Sequence, residues 1–293
     1  MARILGPLRV PAIRITFLFS ALPCVAPAAW STRAYSEFVA GNFWDEPDSS
    51  PDEDLTLSLR RVAAAPGDTP GSFRLRLETS RGVIEGILHP VEGGTGALVC
   101  VGGAMGGLDG PADDLYADLP ALLEAAAVTV LRVGYREPNN FEECVLDVLA
   151  ACSFLKGIGA TDVVLVGHSF GAAVVIKAGQ LAPIVKAVAS LSPQLHGTRQ
   201  VEELGKPLLL VHGTADSILS HEASEDIYRR ALDPRRIVLY EDAGHSLIQV
   251  RDRLRSLLAG WVPARLAGEP MESGRTEEVA GSEDRRRRRL LDA

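Results

Sequence analysis

Asp162-Val-Val-Leu-Val-Gly167-His-Ser169-Phe-Gly171-Ala-Ala-Val-Val-Ile176 contains the change of periodicity that decides the fold. Asp162 to Val166 is a short apolar run without alternation, the pattern of a strand buried on both faces. From Phe170 to Ala182 the pattern is helical. Between the two, Ser169 stands on a sharp strand-to-helix turn, flanked by Gly167 and Gly171 because a side chain there would collide across the turn. A serine hydroxyl is a poor nucleophile at its own pKa, so it must be exposed beside a base. The following helix also points its positive end at the turn. G-x-S-x-G alone is a common pattern; its place between strand and helix makes it specific. The rival reading, a phosphate-binding turn, would need G-x-G-x-x-G or a GK[ST] ending, and neither is present.

The same alternation extends outward. Ala97 to Val101, Val128 to Val133, Val185 to Leu191, Leu208 to His212 and Arg236 to Tyr240 read as buried strands. Asp113 to Ala127, Phe141 to Leu155, Ser220 to Leu232 and Leu247 to Trp261 read as helices, with Asn140 placed to cap the second and Glu143 three residues on. Phe73 to Glu78 and Val83 to His89 alternate apolar and polar around Ser80-Arg81-Gly82, which predicts an antiparallel hairpin at a sheet edge. The expected fold is α/β: a mostly parallel sheet with helices on both faces and an antiparallel N-terminal hairpin. In such sheets ligands bind beyond the carboxyl ends of the strands.

Those ends carry the chemistry. Leu208 to His212 runs through Gly213-Thr214-Ala215 to Asp216, an acid placed to orient a histidine and stabilise its charged form. Arg236 to Tyr240 runs into Glu241-Asp242-Ala243-Gly244-His245, which offers that histidine; Asp242 competes as the acid and reads as a loop residue. His168 is expected to point away from the serine, and His212 to pack under the Asp216 loop. His89 and His221 read as surface or capping residues. After Val101 comes Gly102-Gly103-Ala104-Met105-Gly106-Gly107. An acyl-transfer oxyanion needs two fixed donors: the N–H of Phe170, and one from Gly103 or Ala104. Met105 and His196 are candidate substrate contacts.

The chain has 293 residues, 46% hydrophobic, with a net charge of -8. That suits one sizeable domain with ragged ends and argues against nucleic-acid binding. Residues 73–262 read as the domain and 37–72 as linker-like. Residues 263–293 read as a disordered charged tail ending in Arg285 to Arg289. Residues 1–36 are Arg-containing and acid-free: an organellar transit peptide, a secretory signal or an untargeted extension. The apolar stretch Ile15 to Val25 is too short to span a bilayer. Cys24, Cys100, Cys144 and Cys152 form no CxxC pair or metal cluster, and read as free thiols of a reducing compartment, cytosol or organelle rather than the secretory route. No metal or other cofactor is expected, and the oligomeric state is left open.

Gly167-His168-Ser169-Phe170-Gly171, His212-Gly213-Thr214-Ala215-Asp216 and Asp242-Ala243-Gly244-His245 resemble the three signatures of the α/β-hydrolase superfamily, in that family's order, over roughly Phe73 to Trp261. The compact form is similar to its dienelactone-hydrolase-like and small esterase branches. The resemblance implies a Ser169-Asp216-His245 triad that cleaves a small ester or thioester through an acyl-enzyme. Acyl transfer to another acceptor and non-catalytic binding of a small molecule are the alternatives. Three features depart from the relatives: Val101-Gly102 replaces the usual His-Gly, serine replaces the cysteine of dienelactone hydrolase itself, and Ser192 to Lys206 leaves no room for a large lid. An open site is the expectation.

Overall fold

The computed structural model describes residues 13–18 and 54–279; Cys24, most of the N-terminal segment and Arg285 to Arg289 lie outside them. Strands β1 (Ile13–Leu18), β2 (Asp54–Pro66), β3 (Phe73–Thr79) and β4 (Gly82–His89) form an antiparallel meander. Strands β5 (Gly96–Val101), β6 (Val128–Val133), β7 (Asp162–His168), β8 (Val185–Leu191), β9 (Leu208–Gly213), β10 (Arg235–Glu241) and β11 (Gly274–Val279) run parallel to one another. One sheet results, ordered β1-β2-β3-β4-β6-β5-β7-β8-β9-β10-β11. The order reverses at β5, which sits between β6 and β7, so the loops leaving β5 and β7 diverge and open a crevice between them.

Helices α1 (Pro111–Leu123), α2 (Phe141–Gly157), α3 (Phe170–Leu181), α4 (Glu222–Arg230) and α5 (Arg251–Leu266) cover both faces. Along β7, Val163 and Leu165 pack with α2 and α3, while Val164 and Val166 pack with α1 and α5. That is why this strand shows no alternation: each face meets its own core. Asn140 caps α2 as expected, its Oδ1 accepting from the Glu143 N–H at 3.4 Å. The Glu143 side chain does not reach back to complete a capping box; it pairs with Arg81 and, at 2.7 Å, with Arg136.

The hairpin β3–β4 forms, but not at the edge. β2, which lies in the stretch read as linker-like, pairs with β3, and β1, which lies in the segment read as a targeting or untargeted extension, pairs with β2. Leu57 and Leu59 of β2 are buried, and a register shift between Leu59 and Arg61 brings Val62, one residue out of phase with them, into the same core. A bulge of this kind breaks the period-two signal that identifies strands. β11 lies in the segment read as tail. It is polar, and it is held by the ladder to β10 and by ion pairs such as Arg275 to Glu225 at 2.7 Å, neither of which leaves an apolar pattern.

Three of the cysteines, Cys100, Cys144 and Cys152, are buried and free, and burial pushes their thiols up, away from reactivity. Among the described residues no cluster could hold a metal, and no helix is long and apolar enough to cross a membrane.

Arg136 follows β6 with its side chain 3% exposed, bonding Asp147, Glu143 and the Arg81 carbonyl. Burial pushes the Asp147 carboxyl up to about 6 against the pull of Arg136. Arg136→Met would leave two carboxylates buried beside an apolar chain. Breaking a buried pair in this way costs about 3–5 kcal/mol, a loss that urea denaturation of the variant would reveal.

Candidate active site

Three strand ends bring together the three residues singled out in the sequence. Ser169 follows β7 with φ 59° and ψ -120°. A non-glycine residue with positive φ is strained by about 1–3 kcal/mol. The conformation is held because the Ser169 N–H donates to the Leu191 carbonyl at 2.8 Å and its own carbonyl accepts from the Ala172 N–H at 3.1 Å. The turn is tight. A Cβ on Gly167 would lie 2.1 Å from the Gly171 carbonyl oxygen, and one on Gly171 would lie 2.1 Å from the Gly102 carbonyl oxygen. Both glycines are required by contact, as the motif suggests.

Asp216 Oδ2 lies 2.7 Å from His245 Nδ1, and His245 Nε2 lies 3.0 Å from Ser169 Oγ. A carboxylate only accepts, so Nδ1 carries the proton and Nε2 is left to accept from the serine hydroxyl. Burial would raise the Asp216 carboxyl. Hydrogen bonds from His212 and His245, with backbone N–H groups at Oδ1, outweigh it and hold the group far below the usual carboxylate range. Asp216 is therefore ionised throughout the neutral range. Asp242 is exposed, and its N–H bonds Thr214 Oγ1 at 3.3 Å.

The other histidines divide. His168 does not turn away from the site. Its Nε2–H donates to the His245 carbonyl at 2.9 Å and its ring packs 4.8 Å from the His245 ring. Burial and the His245 charge push it down to about 4, so it is neutral at working pH. The elbow that presents Ser169 to one side thus presents His168 to the loop that carries His245. His212 is buried beneath the Asp216 loop, as expected, and also bonds Asp216 Oδ2 at 3.0 Å.

The Gly102–Gly107 loop lies beside the serine: a Cβ on Gly103 would be 3.6 Å from the Ser169 Cβ. The Gly106 N–H folds back onto the Gly103 carbonyl at 2.9 Å, and the Tyr135 hydroxyl donates to the Gly102 carbonyl at 3.2 Å. Ala104 packs against the core beside them. The two substrate candidates fare differently from the triad. Met105, at 93% exposed, points to solvent rather than into an enclosed pocket. His196 is exposed and packs edge-on against Phe141, whose ring in turn meets Phe170. Ser192 to Lys206 carries a single turn of 3-10 helix and no lid helix, and Ser169 itself is recessed, at 5% exposed. The Gly102–Gly107 loop and the ring of His245 flank the serine.

A serine, a histidine and an aspartate joined by hydrogen bonds at the switch point of a mostly parallel sheet define an α/β-hydrolase-fold protein. Residues 124–264, which include all three, match the model of the Dienelactone hydrolase family. Solved structures share the fold. Est1E from Butyrivibrio proteoclasticus is 17% identical with a TM-score of 0.58, over 66% of this chain and 99% of its own. The esterase domain of a Rhodothermus marinus protein is 24% identical with a TM-score of 0.52, over 66% and 98%. Dienelactone hydrolase from Anabaena variabilis is 17% identical with a TM-score of 0.58, over 65% and 95%. No curated protein matches the chain in sequence.

The glycine contacts predict opposite outcomes for one substitution at two places. Gly171→Ala forces a methyl against the Gly102 carbonyl and should cost about 3 kcal/mol or more. Gly260→Ala, on an exposed turn of α5 with open space around it, should gain about 0.5–1 kcal/mol. Thermal melts of the two variants beside the wild type would check both.

Proposed function

We propose that the chain is a serine hydrolase that cleaves a small ester or thioester through an acyl-enzyme. The observation that carries this reading is the unbroken hydrogen-bond chain from Ser169 through His245 to Asp216, at 3.0 and 2.7 Å. The dienelactone hydrolase match and the esterase neighbours support ester bonds as the target.

In this reading Ser169 Oγ attacks the substrate carbonyl as His245 Nε2 takes its proton. Asp216 stabilises the imidazolium through Nδ1–H. The carbonyl π pair moves onto oxygen, where the Phe170 N–H and an N–H of Gly103 or Ala104 receive the charge. The intermediate collapses, the bond to the alcohol or thiol breaks, and His245 returns the proton to that leaving group. Water then repeats the sequence on the acyl-enzyme, releasing the acid and free Ser169.

Positive φ at Ser169 and the helix behind it fit this role, since both direct the hydroxyl and the first turn of α3 at one point. The buried cysteines offer no competing nucleophile among the described residues. Met105 and His196, on opposite sides of the serine in sequence, remain the proposed contacts for the substrate beyond its carbonyl.

Fluorophosphonate labelling tests the reading. Wild type should label at Ser169, and Ser169→Ala should not. An unlabelled wild type, or equal labelling of Ser169→Ala, would overturn the reading of Ser169 as the catalytic nucleophile. The two acids separate on a nitrophenyl ester: Asp216→Asn should lower kcat by ~10⁴-fold, while Asp242→Asn should stay within about twofold, as expected of a surface position.

A further inference from the structure

Behind the triad stands a histidine that the hydrolytic steps do not use. His212, near the end of β9, is fully buried. Its Nε2 lies 3.0 Å from Asp216 Oδ2 and 3.1 Å from the Leu219 carbonyl. Both are acceptors, so Nε2 carries the hydrogen. Its Nδ1 lies 2.7 Å from Oγ of Ser224, a buried residue of α4, and in this tautomer Nδ1 can only accept. The serine hydroxyl therefore donates and selects the tautomer. Burial disfavours a charge on this ring and keeps it neutral.

Asp216 is consequently saturated. Oδ1 accepts from the Ile218 and Leu219 N–H groups at 2.8 Å each, and Oδ2 accepts from His212 and His245 together. An oxygen that serves two donors is a weaker acceptor for each. If Asp216 held the imidazolium too firmly, His245 would be slow to surrender its proton to the leaving group.

We propose that His212 is a positioning residue, oriented by Ser224, that fixes the Asp216 carboxylate and limits how strongly it stabilises protonated His245. The proposal rests on the triad reading above. The groups facing His245 are Asp216, Ser169, and His168 from β7, with His212 from β9 behind the carboxylate. His168 stays neutral above about pH 4, so across the working range His212 is the neighbour whose replacement alters the load on Asp216.

The test is the acid limb of the kcat/KM profile on a nitrophenyl ester, with the His245 ring titration followed by NMR in the same proteins. In His212→Phe the freed Oδ2 should hold the imidazolium more tightly, moving the limb and the ring titration up by about one pH unit. The loosened carboxylate should also lower kcat about tenfold or more. His212→Gln, whose amide Nε2 can stand where the imidazole Nε2 stood, should restore the wild-type limb. Ser224→Ala weakens the His212 donor and should move the limb the same way by less. A limb that stays or falls in His212→Phe, or a His212→Gln that behaves like His212→Phe, overturns the proposal. Should His212→Phe fail to fold, an unmoved limb in Ser224→Ala overturns it. Should wild type neither turn over nor label, the hydrolase reading fails, and the His245 ring titration alone still decides: no change in Ser224→Ala or His212→Phe rejects the role of His212.

Discussion

The structure depends on a close backbone approach at the switch point of the sheet. The first turn of α3 lies against the loop leaving β5 so tightly that a single methyl on Gly171 would meet the Gly102 carbonyl at 2.1 Å. That approach sets the distance between the nucleophile and the loop proposed to carry an oxyanion donor. It also accounts for the strained backbone of Ser169. The serine cannot relax to negative φ without moving a helix packed into the core through Phe170, Ala173 and Val174. Strain at one residue, of about 1–3 kcal/mol, is small beside the burial of that helix. The turn is paid for by packing that lies outside it.

From this point the sheet does the positioning. β7, β9 and β10 run parallel and end on the same side, so Ser169, Asp216 and His245 arrive from three loops that rest on one rigid layer. The loops are short and fastened to their neighbours. The Ala215 N–H donates to the Ala243 carbonyl at 2.9 Å, tying the aspartate loop to the histidine loop. His168 ties the histidine loop to the serine strand. The aspartate loop is thus fastened to the histidine loop and the histidine loop to the serine strand, so that displacement of one would be felt by the others.

Ser169, Asp216 and His245 were legible because each follows an apolar run by a few residues, and hydrophobic patterning is what a sequence displays best. The parallel strands β5 to β10 and the helices were legible for the same reason. Less visible were features whose signal is not apolar. β2 hides behind a bulge that shifts Val62 out of phase with Leu59. β11 is polar and declares itself through ladder hydrogen bonds and ion pairs. The partners of Glu143 needed Arg81 and Arg136, remote in sequence or on another element, to come within reach. His168 could have been found from the elbow itself: if Ser169 faces the site, its neighbour on a strand end faces elsewhere, and only the fold says that elsewhere is the His245 carbonyl. The exposure of Met105 shows the reverse limit, for an apolar residue in a glycine loop carries no sequence sign of whether it is buried or faces solvent.

Three histidines cluster about one carboxylate, and the physics of the cluster requires that only one of them take a charge. His168 and His212 are both driven neutral chiefly by burial, and each spends its N–H on an acceptor of the site, the His245 carbonyl in one case and Asp216 in the other. Neither ring is bonded to the serine hydroxyl; His245 is. A second charged imidazole nearby would oppose the one formed on His245 and draw the Asp216 carboxylate away from it. By keeping two rings uncharged and aimed at acceptors, the fold leaves a single low-energy place for a proton arriving from Ser169. The recessed serine follows from the same arrangement. A nucleophile set between a glycine loop on one side and a histidine on the other loses exposure, and its hydroxyl is held on the one ring left to take its proton.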